Sequence, residues 1–331
     1  MSARYNIIRI MLYLEFQQLI KYKEYMKEES HMALMERRKQ KKRRMSILSA
    51  VLFLFFIGVM DYPFLARIYN QQIQGDVIED YESVYAEAGD EKIGRELEKA
   101  RIYNEQISGS SVSIQDAFQA ASDRDEEYES ILDIDDSGVM AVIEIPKIGL
   151  RLPIYHGTSE AVLQKGAGHL KGSSLPVGGE NTHTCISAHR GLPGKTMFTN
   201  LDQIEEGDLF FLNVLGQTLC YQVYDIETVE PEDTEALSVR AGQDLATLIT
   251  CTPYGLNTHR LYIHGERIPY EEAELSDAFH GRMGLTEFMT QYWWIGATIL
   301  LLIWMGYMLY RINRKQEKTE SGSETGKDER K

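Results

Sequence analysis

The chain has 331 residues, with 50 acidic against 35 basic side chains and a formal net charge of −15. That balance argues against a nucleic-acid partner, the more so because basic clusters flank the two apolar stretches and leave the middle of the chain still more acidic. With only three cysteines, Cys185, Cys220 and Cys251, there is no disulfide framework of the kind small secreted domains use.

Residues 1–45 read as an N-terminal segment, amphiphilic over 1–36 up to the Met-rich stretch His31-Met32-Ala33-Leu34-Met35, followed by the basic run Arg37-Arg38-Lys39-Gln40-Lys41-Lys42-Arg43-Arg44. A start at Met32 or Met35 keeps that run intact, and no function is assigned to the extension. Residues 46–65 read as a transmembrane helix: Ile47 to Met60 carries no charge, and Tyr62-Pro63-Phe64-Leu65 extends it through the interface. A cleaved secretory signal has the same basic and apolar order, but no small-x-small site follows; in either case the downstream chain is exported.

Residues 66–136 are rich in Glu, Ser and Ala. The apolar repeat at Ile93, Leu97 and Ala100 predicts an amphipathic helix, ended by the loop Ser108-Gly109-Ser110-Ser111. This is a helical arm outside the membrane.

From 137 to 270 the pattern changes to short apolar or alternating segments bounded by Gly, Pro and Asn. Strands are predicted at 142–146, 184–188, 210–214, 219–229, 247–251 and 261–263, with one short helix over 159–165 that has Thr158 or Ser159 as N-cap and Gly166 past its end. Such spacing implies a mostly β domain, a barrel or sandwich of about 130 residues. A linker over 271–291 leads to a second transmembrane helix over 292–310, uncharged and rich in Trp and Tyr at its ends. Arg311, Arg314 and Lys315 open the 311–331 tail. Basic residues before the first span and after the second place both termini in the cytoplasm and 66–290 outside.

Within the β region Cys251 closes the strand Thr247-Leu248-Ile249-Thr250-Cys251, Arg260 follows nine residues later, and His189 ends the strand that begins near His183. A thiol, an imidazole and a guanidinium at strand ends are the groups that acyl transfer through a thioester requires. An unperturbed Cys–His pair holds only about one part in a hundred as thiolate and imidazolium, because the two pKa values differ by about two units. The trio is functional only if its members converge. Taken singly, Cys251 reads as core, His189 as a loop residue bonded to backbone and Arg260 as a surface ion pair. His183 and His259 compete for the place of the base; His183 and His189 lie about 20 Å apart on an extended strand, so only one serves. Cys185 and Cys220 read as buried small hydrophobes. No internal repeat, metal-ligand spacing or phosphate-binding Gly loop is present, so no metal or cofactor is expected.

The TLxTC string at 247–251 with Arg260, and Gly178-Gly179-Glu180-Asn181-Thr182-His183 leading into Ala188-His189-Arg190-Gly191-Leu192-Pro193, resemble the sortases, cysteine transpeptidases of Gram-positive cell surfaces. Ile145-Pro146-Lys147-Ile148 and Pro153-Ile154-Tyr155-His156-Gly157 extend the resemblance over about 140–268. It implies an eight-stranded sortase β-barrel with short helices, preceded by the arm and flanked by two transmembrane helices. It implies Cys251 as nucleophile, His189 as acid/base and Arg260 as the oxyanion or substrate-positioning group. The second span and the long arm look like class C, the pilin-polymerising sortases, in which an Asp-Pro-aromatic lid covers the cysteine. Asp116-Ala117-Phe118 is the nearest match, with Ala for Pro, so Asp116 and Phe118 are the expected lid residues. The implied reaction cleaves an LPxTG-like sorting signal between Thr and Gly and transfers the acyl group to a pilin lysine. An anchoring sortase would instead use a cell-wall precursor amine. The implied partners are LPxTG-bearing pilin or surface proteins and the membrane. Two other classes remain open from the residues: an extracellular cysteine protease, whose cysteine would begin a helix, and a non-catalytic membrane-anchored module.

Overall fold

In a computed structural model of the chain the described residues are 2–108, 114–119, 125–271, 293–311 and 314. They fall into two compact units, one of residues 1–61 with 294–331 and one of residues 62–293.

The first unit consists of the N-terminal part of α1 (Ser2–Ala88) and of α5 (Trp293–Arg311). Both helices are long and apolar enough to cross a membrane. Their large apolar side chains, Leu52, Phe55, Phe56 and Val59 on α1 and Leu300, Ile303 and Trp304 on α5, stand exposed, which suits lipid rather than water. Inside this unit the Thr298 hydroxyl reaches the Asp61 carboxylate at 3.0 Å, and Phe53 lies against Trp304 at 6.4 Å between ring centroids.

The second unit is built on a closed eight-stranded barrel in the order β1-β2-β3-β4-β7-β8-β6-β5. Its strands are β1 (Val139–Ile145), β2 (Leu150–His156), β3 (Ala167–His169), β4 (Thr182–Ser187), β5 (Leu209–Val214), β6 (Gln217–Val229), β7 (Asp244–Thr252) and β8 (His259–Ile268). The pairs β2/β3 and β4/β7 are parallel, and the other pairings are antiparallel. Closure leaves no free sheet edge, and inward residues such as Ile143, Leu152, Ile186, Leu212, Leu248 and Ile263 form the core. Packing is close enough to dictate residue size: a Cβ on Gly265 would stand 2.5 Å from the Phe210 ring.

The helical arm is a working part of this unit. Residues of α1 beyond Pro63 pack on the barrel through Ile78 and Tyr81, both about 1% exposed. The Tyr81 hydroxyl donates to the Met140 carbonyl and accepts from the Leu215 amide. In α2 (Asp90–Ser108) the predicted stripe holds: Leu97 and Ala100 are buried, and Asn104 exchanges two hydrogen bonds with the Leu175 backbone. Short α3 (Glu126–Ser130) is capped by Asp125 and buries Tyr128. The predicted helix near 159–165 is α4 (Glu160–Leu163), with Ser159 in the N-cap position and no side-chain cap bond.

Candidate active site

Three adjacent strands deliver their ends to one place. Strand β4 runs parallel to β7, with Ser187 opposite Ile249; the Ala188 amide donates to the Ile249 carbonyl and the Thr250 hydroxyl donates to the Ala188 carbonyl. His189 therefore leaves β4 beside the end of β7 that carries Cys251. Strand β8 runs antiparallel to β7, and Cys251 and Arg260 are direct cross-strand partners. The chain turns through Pro253 to Thr258 and returns with His259 paired to Thr252, so Arg260, nine positions on, stands opposite Cys251.

Cys251 is 8% exposed and its thiol is raised above the ordinary value. Burial is the main cause; Arg260 acts the other way, and Asp116 adds to the rise. Arg260 is itself 5% exposed. Its Nε and Nη2 donate to the two Asp116 carboxylate oxygens at 2.7 Å each, a bidentate pair, while Nη1 donates to the His259 carbonyl at 3.1 Å. The guanidinium lies 5.0 Å from the centre of the Phe118 ring, and that ring lies 5.8 Å from the His189 imidazole. Ala117 and Ile114 complete the contact by packing with Leu170, Cys185, Leu237, Ile249 and Tyr262, and the Thr234 hydroxyl donates to the Ile114 carbonyl. Asp116, Ala117 and Phe118 thus lie over the Cys251 end of the barrel, with the charge of Arg260 answered and the face of His189 covered. Residues 109–113 and 120–124 on either side of it lie outside the described residues.

The other histidines are held elsewhere. His183 is fully buried, with Nδ1 against the Ser238 carbonyl and Nε2 2.7 Å from the Thr247 hydroxyl, and burial lowers it to about 4. His259 lies at the surface near Glu230. Cys185 and Cys220 are buried free thiols, pushed up by burial to about 12 and about 11. Cys251 sits inside a strand and not at a helix start, unlike the arrangement a papain-like protease would need. Among the described residues no group of three His, Cys, Asp or Glu side chains is placed to hold a metal.

One neighbour has no sequence signal. Glu160, the first residue of α4, brings Oε2 to 3.2 Å from His189 Nε2 although 29 residues separate them. A single Glu after a turn looks like any solvated helix start.

A family model described as "Sortase domain" matches residues 143–268. Among curated proteins the chain is 32% identical over 130 residues to Sortase D of Bacillus subtilis and 32% identical over 131 residues to Sortase A of Streptococcus agalactiae. These stretches are 38% and 39% of this chain, and the chain spans 63% and 52% of those relatives. Among solved structures it is similar to Sortase C of Streptococcus pneumoniae, at 44% identity, 59% of this chain, 97% of that one and a TM-score of 0.55. It is likewise similar to sortase C-1 of Actinomyces oris, at 49% identity, 54% of this chain, 99% of that one and a TM-score of 0.51.

Proposed function

Because this chain belongs to the sortase family, with class C sortases among its structural neighbours, we propose that it is a membrane-anchored cysteine transpeptidase that polymerises pilins bearing an LPxTG-like signal. The observation that carries this reading is the cross-strand pair of Cys251 and Arg260 beside the His189 end of β4, covered by Asp116 and Phe118.

In the first half-reaction the Cys251 thiolate adds to the Thr–Gly carbonyl of the signal, and Arg260 donates to the oxyanion that forms. The C–N bond breaks as His189 gives its proton to the departing glycine amine, leaving a Cys251 thioester. In the second, a lysine ε-amine of the next subunit adds to the thioester and passes a proton to His189. Collapse expels the Cys251 thiolate and leaves an isopeptide bond. Neither half needs a metal or an organic cofactor.

Asp116-Ala117-Phe118 acts as a resting lid. Phe118 occupies the apolar floor that the signal's side chains would take, and Asp116 claims both donors Arg260 would offer the oxyanion. Burial is the chief cause that raises the Cys251 thiol, and the same carboxylate adds to it while offsetting the help of Arg260. The two apolar helices anchor the enzyme, and the basic flanks orient both termini to the cytoplasm with the barrel outside.

The test is incubation of the detergent-solubilised chain with an LPxTG-type peptide and intact-mass measurement before an amine is added. The expected result is a thioacyl adduct on Cys251 that is discharged by a lysine-bearing peptide. Absence of both adduct and cleavage, with Cys251 reactive to thiol reagents, sinks the reading.

A further inference from the structure

His189 Nε2 is buried, and no partner meets it with hydrogen-bond geometry, yet the Glu160 carboxylate stands 3.2 Å away. That carboxylate is not free to wander, because Gln164 Nε2 donates to its other oxygen, Oε1, at 2.6 Å. Among the described residues Glu160 is the only carboxylate within ion-pair reach of this imidazole. We propose that Glu160 is a positioning residue for His189: with the lid gone it takes up the Nε2 proton in a charge-assisted hydrogen bond and leaves Nδ1 as the nitrogen that serves Cys251 and the leaving amine.

The geometry carries this in three steps. With Nε2 turned toward Glu160, Nδ1 is the only ring nitrogen left to exchange a proton with the reacting groups. A catalytic hydrogen bond that is poorly aligned at rest and tightens in the substrate complex is an ordinary finding, and here the Phe118 ring packs 5.8 Å from the imidazole while the lid is down. A carboxylate beside Nε2 then favours the doubly protonated ring, the form that must hand a proton to the departing amine. Glu160 is held below its usual carboxylate range, first by the Gln164 hydrogen bond and then by His189, so it is charged where the enzyme works.

The surrounding charges do not duplicate this role. Arg260 is paired with Asp116 on the lid, and Arg190, next to His189, is paired with Asp202 and donates to the Thr252 hydroxyl. The remaining titratable groups at the strand ends are Cys251 and His259, the latter turned toward Glu230. Among the described residues Glu160 is the carboxylate placed at the imidazole itself. The active fraction, thiolate with imidazolium, grows tenfold for each unit by which the His189 value approaches that of Cys251.

The inference rests on His189 serving Cys251, and the experiment separates the two claims. In the full solubilised chain, alkylation of Cys251 by iodoacetamide is measured from pH 4 to 10 in the wild type, in Glu160→Gln and in Glu160→Ala, and peptide cleavage is measured alongside. Alkylation needs no sorting signal. Loss of the exposed carboxylate is expected to lower the plateau between the two limbs by about two- to fivefold and to move the acidic limb to lower pH by the matching logarithm. Both variants are expected to show it, and cleavage is expected to lose kcat by the same factor with KM unchanged. Folding is checked by thermal melting, where an exposed residue should change little. An acidic limb that stays in place in both folded variants overturns the proposal, whatever happens to the plateau. Wild-type chain that alkylates with the two-limbed profile but cleaves no LPxTG peptide contradicts the proposed function and leaves the Glu160 proposal to be decided on the profiles.

Discussion

Cys251, His189 and Arg260 come from three different strands, and each alone has a duller reading. Their sequence neighbours carry a signal because each stands at a strand end, where alternation stops and a polar group must be placed for some other reason. Glu160 had no such signal, since its partner lies 29 residues away, beyond β3 and β4. At this scale Cys251→Ala should abolish transfer and leave the melting temperature within a few degrees of the wild type, whereas Cys185→Ala should stay active and lose about 1 kcal/mol of stability in denaturant titration. Arg260→Lys should lose a rate factor of about 10² or more, because a point charge reproduces neither the fork nor its two parallel donors. Full activity in either the Cys251 or the Arg260 variant would remove the chemical basis of the proposed mechanism. His183 and His169 give the barrel a pH dependence of definite sign. Burial lowers each to about 4 from 6.5, so below pH 6.5 the unfolded chain binds protons the native barrel refuses. Stability should therefore fall as pH drops from about 6.5 toward 4, by up to about 3 kcal/mol for each histidine, and urea melts across that range will show whether it does.

Among the elements, the strands read from alternating or continuous apolar runs are present, and two that were not read show what pattern misses. Strand β2 carries Arg151 and Pro153 and looks like a loop; it is a strand because Leu152 and Ile154 face the core on one side of it. Strand β3 is Ala-Gly-His, three residues with no β-branched side chain, and is held by its neighbours: Gly168 is a close-contact point where a Cβ would stand 2.3 Å from the Gly157 carbonyl. Only the family resemblance supplied a count of eight. The proposed lid is the element on which the proposed resting state turns. Asp116 and Phe118 are separated from Arg260 by more than 140 residues, so no local rule reports the ion pair. Asp116→Ala and Phe118→Ala should each speed alkylation of Cys251 at pH 7, by different routes. The first frees Arg260 and removes a negative charge, lowering the thiol; the second opens the face of His189. Together they should raise peptide cleavage by at least about tenfold. Unchanged alkylation in the double variant means that the segment is no lid.

The whole molecule combines a β-barrel with two long apolar helices, and those helices were the most legible part of the sequence. A run of apolar residues beside a basic cluster reports burial in lipid directly, whereas the position of the helical arm on the barrel depends on contacts such as Tyr81 with Met140 and Leu215 that no window of sequence contains. Protease treatment of intact cells should remove the barrel and spare both termini, and a protected barrel would reverse the orientation. The most direct test of the transpeptidase reading is mass spectrometry of the products formed by the full chain with a purified LPxTG-bearing pilin. The expected product is a pilin dimer joined by an amide between the signal's threonine carboxyl and a lysine ε-amine, absent with Cys251→Ala. Pilin ending in a free threonine carboxylate with no cross-linked product, or a dimer that forms equally with Cys251→Ala, would contradict it.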